Sequence, residues 1–232
     1  MGMKKSIKAT ALFILFAITA CSKLDVVGND SIRAFDDLLQ SAPVAQFTGL
    51  PPTVIQPEEL GWYIDAPDGS ARFILGQSAR QLPPYNVHKV VMLQFAPAPF
   101  VAAGLNPDLL PEYFTVYNDS IVVEISFESD LLSSTPLSMY QQIVRLKRSS
   151  IGYHGQMDHY GINLGNGNMF EWAKNLATND KDIVFVLDPA PFIAAGTDPA
   201  KIEGWTFAKV TVDDENGKPV QVDKILSAFN LK

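Results

Sequence analysis

The segment Tyr153–Tyr160 brings together more potential ligand side chains than any comparable stretch of this sequence. His154 and His159, two of the three histidines of the chain, lie on either side of Asp158 and a methionine. Imidazole, carboxylate and thioether groups bind transition metals, and Gly155 allows the chain to fold back so that the two rings converge. His154, Asp158 and His159 are therefore candidate ligand or metal-binding residues. The alternative is a solvated loop at a hairpin edge, because the histidines lack helical i, i+4 spacing and no third strong ligand is evident.

Motifs of the common enzyme families are missing from the sequence. It contains no H-E-x-x-H, G-x-S-x-G, S-x-x-K or Walker sequence, and Gly165-Asn166-Gly167 lacks the third glycine of a dinucleotide-binding loop and is typical of a turn. We therefore predict a protein that is not an enzyme, and the sequence by itself calls for no particular cofactor. A hydrolase with dispersed carboxylates stays open as an alternative, because an acidic pair needs no local spacing.

Composition excludes several other classes of protein. The chain has 232 residues, of which 47% are hydrophobic and 19% charged, with one cysteine and a formal net charge of −7. Those values are not typical of a disordered chain, of a small disulfide-stapled domain or of a basic nucleic-acid-binding module. The length and apolar content are sufficient for a sizeable buried core, in one domain or two small ones.

The N-terminus has the organisation of an export signal. Three lysines within the first eight residues precede the apolar run 9–18, and the small residues Thr19 and Ala20 come directly before Cys21. An apolar run of about ten residues is too short for a hydrocarbon core that requires about 20. The segment is therefore predicted to be a secretory signal rather than a transmembrane helix.

The sequence Ile18-Thr19-Ala20-Cys21 resembles the lipobox of bacterial lipoproteins. This resemblance implies that residues 1–20 are a cleaved signal peptide, that Cys21 is lipidated with palmitate-type acyl chains, and that residues 21–28 form a short tether. Export to the outer face of the cell membrane, or to an outer membrane, follows from it. Acylation of the only cysteine also removes thiol hydrolases and redox motifs. Because the signal carries lysines and no acidic residue, the mature chain is more acidic still, and acyl chains rather than a basic patch are expected to hold it at the membrane.

The body of the chain contains an internal repeat. Residues 97–107 and 189–199 share Pro-Ala-Pro-Phe-(Val/Ile)-Ala-Ala-Gly-x-(Asn/Asp)-Pro, and each stretch follows an apolar strand-like run. One interpretation is a ligand loop. The favoured interpretation is structural, because proline ends the strand, phenylalanine anchors in the core and glycine caps the turn. We call this sequence the repeated motif.

The flanking sequence predicts two tandem copies of about 100 residues, at 29–130 and 131–232, with an α+β fold. Each copy opens with a helix whose apolar residues recur at i, i+3, i+6 and i+7, beginning at Ile32 and at Leu137. Asp68-Gly69 and Asn166-Gly167 predict a hairpin in each copy, and a second hairpin follows the repeated motif. Whether the copies form one continuous sheet, or share one core, is left open.

These observations together predict an envelope-anchored, non-enzymatic module that binds a ligand or a protein. Its expected partners are the membrane, through the acyl chains on Cys21, and an envelope protein or small molecule, with no nucleic acid. One alternative is a metal or haem capture protein that uses His154, Asp158 and His159. The other is an envelope hydrolase with dispersed carboxylates.

Overall fold

The computed structural model describes residues 28–48, 60–79, 87–117, 119–128, 135–176, 181–214 and 216–231. The predicted signal peptide, Cys21 and most of the tether lie outside these residues. No helix among the residues described has the length and apolarity needed to cross a membrane.

The first copy folds into a helix and an antiparallel sheet. Its elements are α1 (28–41), β1 (Ala45–Thr48), β2 (Leu60–Asp65), β3 (Ala71–Ala79), β4 (Val87–Phe95), α2 (Ala98–Ala102), β5 (Phe114–Val116) and β6 (Ile121–Glu128). Within the described residues the sheet has six strands in the order β1-β2-β3-β4-β6-β5. We call it the first sheet.

The second copy repeats this arrangement. Its elements are α3 (Pro136–Leu146), β7 (Ile151–His154), β8 (His159–Gly165), β9 (Asn168–Ala173), β10 (Ile183–Leu187), α4 (Pro189–Ala194), β11 (Thr206–Asp213) and β12 (Pro219–Phe229), with short 3-10 helices at Arg148–Ser150 and Pro199–Lys201, and in the first copy at Pro107–Leu109. The second sheet has the order β7-β8-β9-β10-β12-β11 over the part of the chain described. The α+β fold is confirmed, and the strands form two separate antiparallel sheets rather than a continuous one.

Local sequence explains where these elements begin and turn. Thr135 caps α3, since its hydroxyl accepts a hydrogen bond from the Ser138 amide at 3.2 Å and Pro136 occupies the first turn. Between β8 and β9, Asn166 and Gly167 have φ angles of 52° and 77°. Positive φ at both central residues defines a type I′ turn, whose twist matches a two-stranded hairpin.

One hydrophobic core lies between the two sheets and joins the copies. Equivalent aromatic residues of the two copies contact one another there: Phe35 with Tyr140 at 4.1 Å between ring centroids, Phe73 with Phe170 at 3.9 Å and Phe100 with Phe192 at 5.1 Å. All six side chains are at most 2% exposed. Because equivalent residues contact each other, the copies pack about an approximate two-fold axis and share this core.

The repeated motif forms part of the contact between the two copies. The Asn106 amide donates to the Ala195 carbonyl at 2.8 Å, and the Asp198 amide donates to the Ala103 carbonyl at the same distance. The two bonds are equivalent by the same two-fold relation. The repeated motif therefore has a structural role, as expected. Its two occurrences hydrogen-bond to each other where the two copies meet.

Candidate functional site

The two histidines of the candidate segment face each other at one end of the hairpin formed by β7 and β8. His154 is the last residue of β7 and pairs in register with His159, the first residue of β8. Their side chains converge on Glu171 of the neighbouring strand β9. The His154 Nδ1 atom lies 3.0 Å from Glu171 Oε1, and the His159 Nδ1 atom lies 3.8 Å from Glu171 Oε2.

Glu171 is a buried carboxylate, only 3% exposed. Burial alone raises the pKa of such a group, but the hydrogen bond from His154 and the attraction of both imidazoles hold the pKa of Glu171 below its ordinary value. The 3.8 Å separation from His159 is beyond hydrogen-bonding distance, so we treat that interaction as electrostatic and the His154 contact as dominant. The carboxylate is therefore ionised and fixes the orientation of the His154 ring.

Asp158 does not join the two histidines. Its carboxylate accepts a hydrogen bond from the Tyr153 hydroxyl, which raises the pKa of Tyr153 to about 12. Its carbonyl accepts from the Lys174 amide at 2.9 Å. The structure thus brings His154 and His159 together, as predicted. The carboxylate that they contact is that of Glu171 and not that of Asp158. Among the described residues, no group of three or more His, Cys, Asp or Glu side chains is placed to hold a metal ion.

Glu171 was missed because it is separated from the histidines in sequence and meets them only through strand pairing. A signal for it does exist. The strand Asn168-Met169-Phe170-Glu171-Trp172-Ala173 carries a single acidic residue among apolar ones, and such a residue in a two-sided strand needs a buried partner.

A cavity of about 230 Å³ opens beside this cluster on the outer face of the second sheet, the face turned away from the shared core. We call it the outer cavity. Val184 and Val186 of β10, which are 2% and 5% exposed, and Leu226 of β12 form part of its apolar lining. His154 and Glu171 also line it.

Lys224 is the cationic group of the outer cavity. Its ammonium donates to the Gly167 carbonyl at 3.0 Å and lies 3.6 Å from an Asp188 carboxylate oxygen. Lys224 is therefore held against the turn between β8 and β9 and is neutralised in part by Asp188. The remaining lining residues in the described part of the chain are apolar.

Comparison of the two copies shows how the surroundings of Glu171 differ from the equivalent position of the first sheet. Tyr63 pairs with Ile74 across β2 and β3, as Gly161 pairs with Glu171 across β8 and β9. In the first copy, Tyr63 packs on an apolar cluster that contains the fully buried Ile74. In the second copy, the equivalent position is Gly161, which has no side chain, and the equivalent of Ile74 is the acidic Glu171. The space that Tyr63 fills in the first sheet is occupied in the second by the side chains of Glu171 and Met169, whose Cγ and terminal methyl atoms lie 3.1 and 3.3 Å from a Cβ placed on Gly161.

Comparison of the chain with known protein families, with curated proteins and with solved structures finds no match. The outer cavity and the side chains that line it are therefore the features that bear on function.

Proposed function

We propose that this chain is an exported, acyl-anchored binding protein without a catalytic role, and that the outer cavity is its binding site. The observation that carries the proposal is the cavity itself, which combines apolar walls with His154, Glu171 and Lys224. Ligand sites in proteins have this character, mostly apolar with a few polar groups that orient the ligand.

The dimensions of the outer cavity limit what it can bind. A cavity of about 150 Å³ accommodates benzene, so at the same packing a cavity of about 230 Å³ accommodates roughly nine non-hydrogen atoms. The ligand is accordingly small, and a porphyrin is far too large. The haem alternative is not supported by this geometry.

Binding is favoured over hydrolysis by the carboxylates available. A hydrolase of the paired-carboxylate kind needs two acidic groups that face one substrate. Glu171 is the single carboxylate among the described residues that line the outer cavity, and two imidazoles already hold it. We therefore assign this group to ligand recognition.

Native mass spectrometry of the full chain, extracted from its own membrane in mild detergent, tests the binding site. We expect a bound small mass that is lost in Leu226→Trp, in which the larger ring enters the outer cavity. Val220→Trp is the matched control, because Val220 lies on the same face of β12 but is 37% exposed and does not line the cavity. Loss in both variants, or in neither, would contradict the proposal.

The anchor is tested separately through Cys21. Cys21→Ser removes the acyl acceptor, so we expect an uncleaved precursor that carries no acyl chain and partitions into the aqueous phase of a detergent extraction. Intact-mass measurement of the wild-type chain should show an acylated Cys21 as its first residue. An acylated Cys21→Ser variant would disprove the anchor.

A further inference from the structure

Two methionines line the outer cavity next to His154 and Glu171. Met157 comes from the turn between β7 and β8, and Met169 comes from β9. A Cβ placed on Gly161 would lie 3.3 Å from the terminal methyl carbon of Met169 and 3.1 Å from Glu171 Cγ. The Met169 thioether and the Glu171 carboxylate therefore lie side by side over Gly161, in the space that Tyr63 fills in the first copy.

Glu171 also determines the state of the His154 ring. With Nδ1 at 3.0 Å from the carboxylate, the His154 ring donates its Nδ1 proton to Glu171, so Nε2 is the ring nitrogen through which His154 would bind a metal ion. Histidines that bind metals are commonly held in this way, with the second ring nitrogen donating to a carboxylate that orients the ring and raises its basicity. His154 and Glu171 thus have the arrangement of a ligand and its supporting carboxylate.

We infer that the outer cavity binds a soft monovalent metal ion, Cu(I), through the sulfur atoms of Met157 and Met169 and the Nε2 atom of His154. Glu171 supports the His154 ring from outside the coordination sphere. This inference rests on the proposed function and names the class of ligand that the site takes.

Ligand softness and charge favour this ion over others. Thioether sulfur selects Cu(I), whereas Zn²⁺ prefers thiolate, imidazole and carboxylate ligands and Ca²⁺ and Mg²⁺ prefer oxygen. The thioethers bring no charge, the ammonium of Lys224 is balanced in part by Asp188, and the single negative charge of Glu171 therefore suits one positive charge and not two. The valine side chains lower the local dielectric constant, which strengthens the attraction between the Glu171 carboxylate and a bound cation.

Titration with Cu(I) in competition with a Cu(I)-specific chelator tests the inference, and Ag(I) serves as a stand-in that undergoes no redox change. The full chain carrying Cys21→Ser is used, because it contains no cysteine and so no thiolate that could bind the metal. We expect one equivalent of tightly bound metal. X-ray absorption at the copper edge should show both sulfur and nitrogen neighbours.

Variants locate the ion in the outer cavity. Met157→Leu combined with Met169→Leu removes both sulfur atoms at nearly constant volume, so the fold is expected to persist while Cu(I) binding is lost. Met92→Leu combined with Met139→Leu is the matched control, because both residues are fully buried and neither lines the outer cavity. Glu171→Gln should keep the stoichiometry but weaken binding by about 10–100-fold, as expected for a supporting carboxylate.

Failure of this inference is distinguishable from failure of the proposed function. No Cu(I) binding, an X-ray spectrum without sulfur, or unchanged affinity in the Met157→Leu, Met169→Leu double variant overturns the copper assignment. If a bound organic mass is then still lost in Leu226→Trp, the outer cavity remains the binding site and only its ligand class is wrong. If Cu(I) binds and persists in Leu226→Trp, the metal lies elsewhere and the assignment is likewise overturned.

Discussion

Glycines of the repeated motif bring the backbones of the two copies close together, and Gly104→Ala tests the importance of this contact. Gly104 has a φ of 104°, and a Cβ at this position would lie 2.7 Å from the carbonyl oxygen of Gly196. That oxygen belongs to backbone, which cannot swing aside as a flexible side chain would. An alanine therefore forces apart the two repeated motifs, whose backbones hydrogen-bond the copies to each other.

The magnitude follows from two contributions. A side chain in this region of φ costs about 1–3 kcal/mol. Separating the motifs also strains the Asn106–Ala195 and Asp198–Ala103 hydrogen bonds, each of which contributes about 1 kcal/mol. We expect Gly104→Ala to lower the free energy of unfolding by about 3–5 kcal/mol.

Urea unfolding of the Cys21→Ser chain, followed by tryptophan fluorescence, measures this loss as a shift in midpoint at constant slope. Gly69→Ala is the control, because Gly69 also has a positive φ, 72°, but a Cβ there meets no atom within 4 Å. Its cost should be the conformational strain alone, about 1–2 kcal/mol. If Gly104→Ala destabilises the protein no more than Gly69→Ala does, the close contact between the copies is not what holds them together.

Three further predictions concern the core and the site. Phe73→Ala removes the ring stacked on Phe170 at the centre of the shared core. Urea unfolding should show a single transition for both copies, with the free energy of unfolding lowered by about 3–5 kcal/mol. Separate transitions for the two copies would contradict a shared core. Because the folded protein lowers the pKa of Glu171, its carboxylate stabilises the fold above the unfolded-state pKa of about 4.3 and loses that effect as the pH falls through the lower folded-state pKa. The stability difference between wild type and Glu171→Gln should therefore shrink towards acid pH, and a constant difference would refute the argument. Asp158→Asn should return the pKa of Tyr153 from about 12 towards its ordinary value, measured by NMR of the phenol carbon, and an unchanged pKa would show that Asp158 is not the cause.

Local patterns in the sequence predicted most of the elements of the fold. The apolar stripe with Thr135 and Pro136 at its start predicted α3, and Asn166-Gly167 predicted the turn between β8 and β9. These signals are strong because they depend only on the backbone conformation and on the spacing of apolar residues within one element. The edge strands β1 and β7 were not predicted, because each is only four residues long.

The candidate site was predicted only in part. His154 and His159 are close in sequence on either side of a tight turn, so their convergence followed from local geometry. Their carboxylate did not, because Asp158 turned to Tyr153 and Glu171 came from the next strand. Which carboxylate two histidines meet depends on strand register, and register is set by the whole sheet rather than by the turn.

The sequence by itself therefore determined the α+β class, the repeat and most of the elements, since each follows from local conformational preference and from the alternation of apolar and polar residues. Tertiary structure alone decided that the two sheets enclose one core and that a cavity opens on the second. Both depend on side-chain volumes at positions far apart in the chain: stacked aromatic rings close the centre, and side chains from β9, β10, β11 and β12 together line the cavity. No local pattern encodes the sum of such volumes.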